Sequence, residues 1–184
     1  MKKKLEPTER IIKLIKKWEG YSSEVYICPA GKKTIGYGHT FRRKIMFSSV
    51  TKEQAHQLLL KDLKKATKPI HKYVKVPLTQ GQFDALTSLI YNVGWFAFYK
   101  SKALAYLNAS EYNLAAYEFF DENVGFVYAD KKKLPGLVKR RMQERKIWNE
   151  KPKEEEPIQV SAISDSIYSF FGEIGKAIGG KNDK

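Results

Sequence analysis

The chain has 184 residues, with 34 Lys and Arg against 20 Asp and Glu, 42% hydrophobic residues and a single cysteine. The apolar fraction supports a core and so excludes wholesale disorder, while one cysteine excludes an intramolecular disulfide framework and a cysteine-based zinc site. No apolar run is long enough for a transmembrane helix, and Lys13, Lys16 and Lys17 interrupt the apolar residues near the basic start, so we expect no cleavable secretory signal.

The basic charge is concentrated in the first four fifths of the chain. Residues 1–149 hold 29 basic and 13 acidic residues, whereas residues 150–184 hold 5 Lys and 7 acidic residues. A body this basic favours a polyanionic surface as its partner, and nucleic acid, anionic lipid and bacterial envelope polymers all qualify. Solubility alone would also explain the charge.

The first predicted element is an amphipathic helix with a defined end. Thr8 is a suitable N-cap, and Gly20 supplies a C-terminal stop. The apolar side chains between them recur at helical spacing, at Ile11, Leu14, Ile15 and Trp18. Glu19 is therefore the last side chain of this helix.

Residues 24–40 change to a strand pattern. Residues 25–27 predict a short strand, the segment 29–31 predicts a turn, and residues 34–37 predict a returning strand. Gly36 and Gly38 weaken that second strand, and they indicate that backbone or a ligand approaches closely there.

The rest of the body is predicted to be helical. Thr51 with Gln54, and Thr79 with Gln82, form capping-box signatures. We expect the first of these helices to stop at Pro69 and the second to end near residue 94. Shorter helices follow around 101–108 and 110–120, and a last helix opens at residue 135.

Composition divides the chain into three parts. Residues 1–149 form the predicted folded domain, and residues 150–157 form a charged, proline-flanked linker. Residues 158–184 form an amphipathic tail of nearly zero net charge. The tail is a candidate for packing on the main body, for pairing with a copy of itself, or for contact with a membrane surface.

Glu19 is the first candidate for chemistry. A glycosidase needs a proton donor and a second group that handles water or the sugar cation. The partial negative charge at a helix C-terminus disfavours an ionised carboxylate, and the neighbouring Trp18 would reduce its contact with water. Many helices nevertheless end in an exposed glutamate, so position alone does not assign this role.

The residues that follow Glu19 give a family resemblance. The segment E-G-Y-S-S-E-V-Y-I-C-P-A-G-K-K-T-I-G-Y-G-H-T resembles the signature of phage-type, T4-lysozyme-like endolysins, glycoside hydrolase family 24. Residues 51–62, 82–94 and 134–148 resemble further blocks of that family, in the same order. The resemblance covers about residues 9–149.

The resemblance implies an α+β lysozyme-like fold. A small N-terminal lobe would hold the Glu19 helix end and a β-hairpin, and a longer helix near 51–68 would lead to a mostly helical C-terminal lobe. The implied activity is hydrolysis of the β-1,4 bond between N-acetylmuramic acid and N-acetylglucosamine in peptidoglycan, with bacterial lysis as the result. The implied catalytic residues are Glu19, Cys28 and Thr34.

Four further side chains are predicted to bind substrate, namely Tyr26, Tyr37, His39 and Arg140. Tyr26 and Tyr37 could stack on sugars or simply pack in the sheet. His39 could orient the hairpin or pair with a carboxylate. Arg140 and Arg141 are both candidates to pair with Glu19, or to form an interhelical salt bridge.

Cys28 leaves the stereochemistry open, because the family carries Asp at this position or, in many members, Cys. A neutral thiol is a weak base, and at the ordinary cysteine pKa the thiolate is a minor species near neutral pH. A thiol that orders a water would fit inversion at the anomeric carbon, whereas a thiolate nucleophile would fit retention. We favour inversion.

Three other functions remain compatible with the sequence. They are a wall-binding protein of the same fold without catalysis, a basic nucleic-acid-binding protein, and a lytic transglycosylase that forms an anhydro sugar. We expect peptidoglycan as the partner, no specific nucleic acid, no cofactor, no metal site and a monomer. The resemblance further implies storage in the host cytoplasm until a separate pore-former gives access to the wall.

Overall fold

The first helix has the predicted bounds in the computed structural model, which describes residues 4–28, 31–41, 47–129 and 131–151. Helix α1 spans Glu9–Glu19, and the Thr8 side chain accepts a hydrogen bond from the backbone N–H of Ile11. Gly20 ends the helix at a φ of 69°, a conformation that favours glycine. Glu19 is therefore the last residue of α1, as predicted.

A three-stranded antiparallel sheet follows α1. Its strands are β1 (Ser22–Ile27), β2 (Lys33–Gly36) and β3 (His39–Thr40), in that order across the sheet. The two predicted strands are confirmed, while β3 was not predicted because two residues carry no periodic signal. Residues 29–30 of the predicted turn lie outside the described residues.

Helix α2 (Lys52–Tyr73) is longer than predicted, and the expected stop at Pro69 is wrong. Proline removes one N–H hydrogen bond and strains the preceding turn, which usually ends a helix. Here Pro69 and Ile70 are both buried, and the Val74 N–H bonds to the Ile70 carbonyl. Burial of this last turn offsets the lost bond.

Gly36 is required by the packing of β2 on α2. Its φ is 66°, and a Cβ at this position would lie 3.0 Å from the Ala55 Cβ. The sequence left open whether backbone or a ligand approaches this glycine. The side-chain space is taken by α2.

Helices make up most of the remaining body. They are α3 (Gln80–Val93), α4 (Trp95–Lys100), α5 (Lys102–Asn108), α6 (Tyr112–Phe120) and α7 (Pro135–Trp148), with a small hairpin of β4 (Tyr128–Ala129) and β5 (Lys132–Lys133) before α7. Both predicted capping boxes are present, at the starts of α2 and α3. Helix α4 was not predicted, because six mostly aromatic residues show no helical periodicity.

Two apolar clusters define a small and a large lobe. The small one joins Ile35, Val50 and Ala55. The large one joins α1 and α3–α7, together with residues 59–70 of α2. The α+β lysozyme-like class is thus confirmed, and α2 contributes to both clusters. One detail differs from expectation: α1 packs in the large lobe, because Ile11, Ile12 and Ile15 face the helical core.

Among the described residues, no helix combines the length and the apolar character needed to cross a bilayer. The predicted tail and all but the first two residues of the predicted linker lie outside the described residues.

Candidate active site

Glu19, on the first helix, is held by an arginine from α7, the last helix of the folded domain. Arg140 on α7 donates from Nη1 to Glu19 Oε1 at 2.7 Å. The Glu19 side chain keeps 22% of its surface exposed, and that of Arg140 keeps 5%. Of the two predicted arginine partners, the fold therefore brings Arg140 to Glu19. With so little exposed surface, Arg140 is placed to hold Glu19 rather than to face a sugar.

The other donors of Arg140 are also occupied. Its Nε lies 3.3 Å from Glu144 Oε1, and its Nη2 donates to the Ser88 carbonyl at 3.2 Å. Ser88 on α3 donates its hydroxyl to Glu144 Oε1 at 2.6 Å. Since Ser88 and Glu144 are fully buried, the guanidinium is fixed by α1, α3 and α7 together.

Arg141 does not reach Glu19. Its Nη2 donates to Glu144 Oε1 at 2.9 Å, and its Nε lies 2.7 Å from Glu144 Oε2, although that second contact lacks hydrogen-bond alignment. Burial lowers the pKa of the Arg141 guanidinium, while the Glu144 charge opposes this shift. Glu144 therefore lies between the guanidinium groups of Arg140 and Arg141, and Arg140 links it to Glu19.

The second carboxylate oxygen of Glu19 faces a glycine. A Cβ at Gly38 would lie 3.1 Å from Glu19 Oε2 and 3.4 Å from the Tyr91 hydroxyl. Tyr91 donates that hydroxyl to the Tyr37 carbonyl at 2.7 Å. Burial raises the pKa of Tyr91, and the charges of Glu19 and Asp62 add to the shift, so the phenol remains a neutral donor. Gly38, as predicted, marks a close approach.

One face of the sheet carries three of the predicted site residues. Tyr26 on β1 pairs directly with Thr34 on β2, and residues that face each other across two strands share a sheet face. Cys28 is two residues beyond Tyr26, so strand alternation continues that face. Its N–H donates to the Lys32 carbonyl at 3.0 Å and extends the pairing.

Tyr26 links this face to Glu19. Burial raises the pKa of the Tyr26 phenol, and the charges of Glu19 and Cys28 raise it further. Tyr26 therefore lies within electrostatic reach of Glu19 and of Cys28. The Tyr26 side chain remains exposed enough to meet a ligand.

The Thr34 hydroxyl is already used as a donor. Thr34 is buried, and its Oγ1 donates to the Lys32 carbonyl at 2.9 Å. The same carbonyl accepts from the Cys28 N–H, so Cys28 and Thr34 meet there. A water at Thr34 would have to donate to Oγ1, since the hydroxyl proton is committed.

His39 and Tyr37 lie away from the face that carries Tyr26. His39 pairs with Ile35, which faces the small-lobe core. Its Nδ1 lies 2.6 Å from Asp62 Oδ2 on α2, so His39 holds the sheet against α2. The Tyr37 ring packs 5.6 Å from the Tyr21 ring, with the Lys16 ammonium 5.2 Å from its centroid.

Sequence reasoning missed several polar residues of this network. Ser88 is a polar residue inside the buried face of α3, and Glu144 follows Arg140 and Arg141 at helical spacings of four and three. These two sequence features could have identified Ser88 and Glu144. Asp62 and Tyr91 carry no such signal, because only the fold brings them to His39 and Gly38. Within the described ranges, no group of three His, Cys, Asp or Glu side chains is arranged to hold a metal ion.

The Glu19 carboxyl group at the end of α1 is held on one oxygen by Arg140, has Gly38 beside the other, and lies within electrostatic reach of Tyr26 on the sheet. A carboxyl group placed between a small sheet lobe and a helical lobe is the arrangement expected of a lysozyme-like glycosidase.

Comparison with known proteins gives the family. The phage lysozyme family model matches residues 16–144, and the chain belongs to the phage lysozyme family. It is 40% identical over 141 residues to an endolysin of Acyrthosiphon pisum secondary endosymbiont phage 1, covering 77% of this chain and 96% of that one. Two endolysins of Bacillus phages are also 40% identical, but the chain spans about half of their length, 51% and 53%.

Solved structures agree with this assignment. The muramidase domain of SpmX from Asticaccaulis excentricus has a TM-score of 0.71 at 32% identity, over 80% of this chain and all of that one. A mutant of the lysozyme of phage P22 has a TM-score of 0.67 at 33% identity, over 79% of this chain and 99% of that one.

Replacing Asp62 with Asn should lower stability in a pH-dependent manner. Burial alone would raise the pKa of Asp62, but its hydrogen bonds to His39 and Lys65 give a net pKa below the ordinary value. The stabilisation is therefore present above the ordinary Asp pKa and is lost as the pH falls through the lowered value. We expect Asp62→Asn to lower the free energy of unfolding, measured in urea, by about 1.5–3 kcal/mol near neutral pH. The difference between the variant and the wild type should be smaller in acid.

Lys65→Gln is the matched control, since it removes the exposed partner of Asp62 and should cost less than about 1 kcal/mol. An Asp62→Asn loss of the same size at both pH values would contradict the assignment.

Glu144→Gln should lower the stability of the folded domain far more than Asp62→Asn. It leaves the guanidiniums of Arg140 and Arg141 buried without their shared counter-charge, at a cost of about 3–5 kcal/mol. Arg145→Gln breaks the half-exposed pair with Asp121 on the same helix and should cost less than about 1 kcal/mol. Chemical denaturation of both variants measures the difference, and equal losses would show that burial of the charges is unimportant.

Proposed function

We propose that this protein is an endolysin that hydrolyses the β-1,4 bond between N-acetylmuramic acid and N-acetylglucosamine in bacterial peptidoglycan. The observation that carries the proposal is the geometry of Glu19. One carboxylate oxygen is bound to Arg140, the other faces Gly38, and the Glu19 charge acts on Tyr26, which pairs with Thr34 across the sheet. Membership of the phage lysozyme family supports the same reaction.

The proton donor in this proposal is Glu19, acting through Oε2. Oε1 accepts the Arg140 hydrogen bond, so the proton to be given to the leaving sugar oxygen is carried on the other oxygen. Gly38, which has no Cβ, leaves space beside that oxygen. Arg140 also pairs with Glu144, so its positive charge acts on two acidic side chains and not on Glu19 alone.

Thr34 and Cys28 are proposed to position the attacking water. The Thr34 hydroxyl proton is used by the Lys32 carbonyl, so Oγ1 can only accept from a water. When Thr34 Oγ1 accepts a hydrogen bond from the water, one O–H of the water points at Thr34. The lone pairs of the water then point away from Thr34 and toward the sugar. The Cys28 thiol lies on the same face and orders the water from a second side. The Glu19 proton passes to the leaving oxygen as the glycosidic bond breaks, direct attack by this water inverts the anomeric carbon, and the proton that the water loses passes to solvent.

The remaining substrate contacts follow from exposure and charge. Tyr26 offers a neutral phenol and a ring face beside Glu19, suited to a sugar ring. The excess of basic residues favours encounter with the acidic stem peptides and envelope polymers of the wall.

The route to the wall is also part of the proposal. We propose a monomer that accumulates in the host cytoplasm until a separate pore-former releases it. Relatives named SAR-endolysin, such as that of Escherichia phage Mu at 38% identity, match 65% of the chain. Fractionation of expressing cells, with and without a pore-former, tests the route. Residues 158–184 remain a candidate for contact with a membrane surface.

Glu19→Gln should lower the rate at which a suspension of bacterial cell walls loses turbidity by at least about 100-fold, because an amide cannot donate the proton. Reducing-end release from purified peptidoglycan is the second measurement. Cooperative thermal unfolding should be retained.

Glu9→Gln is the matched control, because Glu9 is an exposed carboxylate at the other end of α1. It should keep wild-type activity. Activity of Glu19→Gln close to that of the wild type would refute the donor, whereas wall binding without cleavage by the wild-type protein would favour a non-catalytic wall-binding protein.

The first product should carry the inverted, α configuration at its reducing end, because water attacks directly. NMR of freshly cleaved peptidoglycan reads the configuration, and Cys28→Ser should leave it unchanged. A β product that requires Cys28 would assign a covalent intermediate instead. An anhydro sugar in mass spectra would assign a lytic transglycosylase.

A further inference from the structure

An exposed aromatic surface lies on α4. Trp95, Phe96 and Tyr99 are 51%, 58% and 44% exposed. The Tyr99 ring packs 4.7 Å from that of Tyr73 at the end of α2, and the Trp95 ring packs 5.6 Å from that of Phe96. We call these four side chains the α4 aromatic surface. Large aromatic side chains grouped at a surface mark an interaction site.

Lysines border this surface. The Lys100 ammonium lies 5.8 Å from the Phe96 ring centroid and 5.9 Å from that of Tyr99. The Lys72 ammonium lies 5.1 Å from the Tyr73 ring. The rings and the positive charges therefore form one mixed surface.

Accessible carboxylates are scarce around it. Between residues 63 and 110 the chain has seven lysines and one acidic residue, Asp84, which is buried against Thr8. The helices against which α4 mainly packs are α2, α3 and α5. Their other acidic groups, Glu53 and Asp62, lie in the first half of α2.

The α4 aromatic surface makes none of the contacts described at Glu19, and Tyr91, which lies beside Gly38, precedes Trp95 by four residues. Asp62, which pairs with His39 beneath the sheet, precedes Tyr73 by eleven residues on α2. At the rise of an α-helix this is about 16 Å along the axis. Neither Trp95 nor Phe96 contributes to the Glu19 network, so the surface needs another explanation.

We infer that the α4 aromatic surface binds the headgroup region of an anionic phospholipid bilayer. Tryptophan and tyrosine favour the boundary between water and hydrocarbon, and lysines beside them attract anionic headgroups. A polyanion that offers neither an apolar layer nor rings for stacking would use the lysines but would leave the aromatic rings in water. Contact of this kind would hold the enzyme at the inner membrane, next to the wall.

The test uses the full chain and vesicles of equal parts phosphatidylglycerol and phosphatidylcholine. The wild-type protein should sediment with these vesicles and much less with phosphatidylcholine alone. Trp95→Ser combined with Phe96→Ser should weaken binding at least about tenfold, because two half-exposed rings lose their burial. Lys72→Gln combined with Lys100→Gln should weaken it about tenfold as well.

Matched controls come from the β4–β5 region. Val124 and Tyr128 are 42% and 50% exposed, and the double change to Ser should leave vesicle binding intact. Lys132→Gln with Lys139→Gln matches the charge change at two exposed lysines. Digestion of purified, membrane-free walls and thermal unfolding should be unchanged in the Trp95/Phe96 variant, which separates this inference from the proposed enzymatic function.

Three results would overturn the inference. The first is the absence of vesicle binding by the wild-type protein. The second is binding that survives the Trp95/Phe96 change, which would assign the contact to charge alone or to residues 158–184. The third is an equal loss of affinity for duplex DNA in the same variant, which would assign the surface to nucleic acid.

Discussion

The buried guanidinium of Arg140 is the contact on which the site depends. It joins the end of α1 to α3 and α7 through Glu19, Ser88 and Glu144. A buried charge is tolerated only when its hydrogen bonds are satisfied, so these partners must meet in one arrangement. That requirement fixes one oxygen of Glu19 within the helical lobe and leaves the other at its surface.

The sheet is brought to Glu19 by two different contacts with α2. Gly36 allows the backbone of β2 to lie against Ala55, and His39 pairs with Asp62 two turns further along the helix. One side of the sheet is thereby fixed by packing and charge, which leaves the side of Tyr26 and Thr34 for the site. Helix α2 contributes to both lobes, so it sets the distance between them.

Local signals in the sequence predicted the local structure. The capping boxes at Thr51 and Thr79 are correct because three or four neighbouring residues form them without help from the fold. The predicted stop at Pro69 is wrong because burial of Pro69 and Ile70 in the packed body outweighs the local tendency of proline to end a helix. The choice between Arg140 and Arg141 could not be made from sequence, since helix rotation in the packed body decides it. The family resemblance supplied Cys28 and Thr34, whose spacing alone assigns no chemistry.

The bond between Glu19 and Arg140 spans 121 residues of chain. During translation the first helix leaves the ribosome before the last is made, by on the order of ten seconds at ordinary rates of synthesis. Until then the acid has no partner to fix its direction. On the proposed mechanism the nascent polypeptide therefore lacks the group that orients its acid, and so does every fragment that stops short of α7.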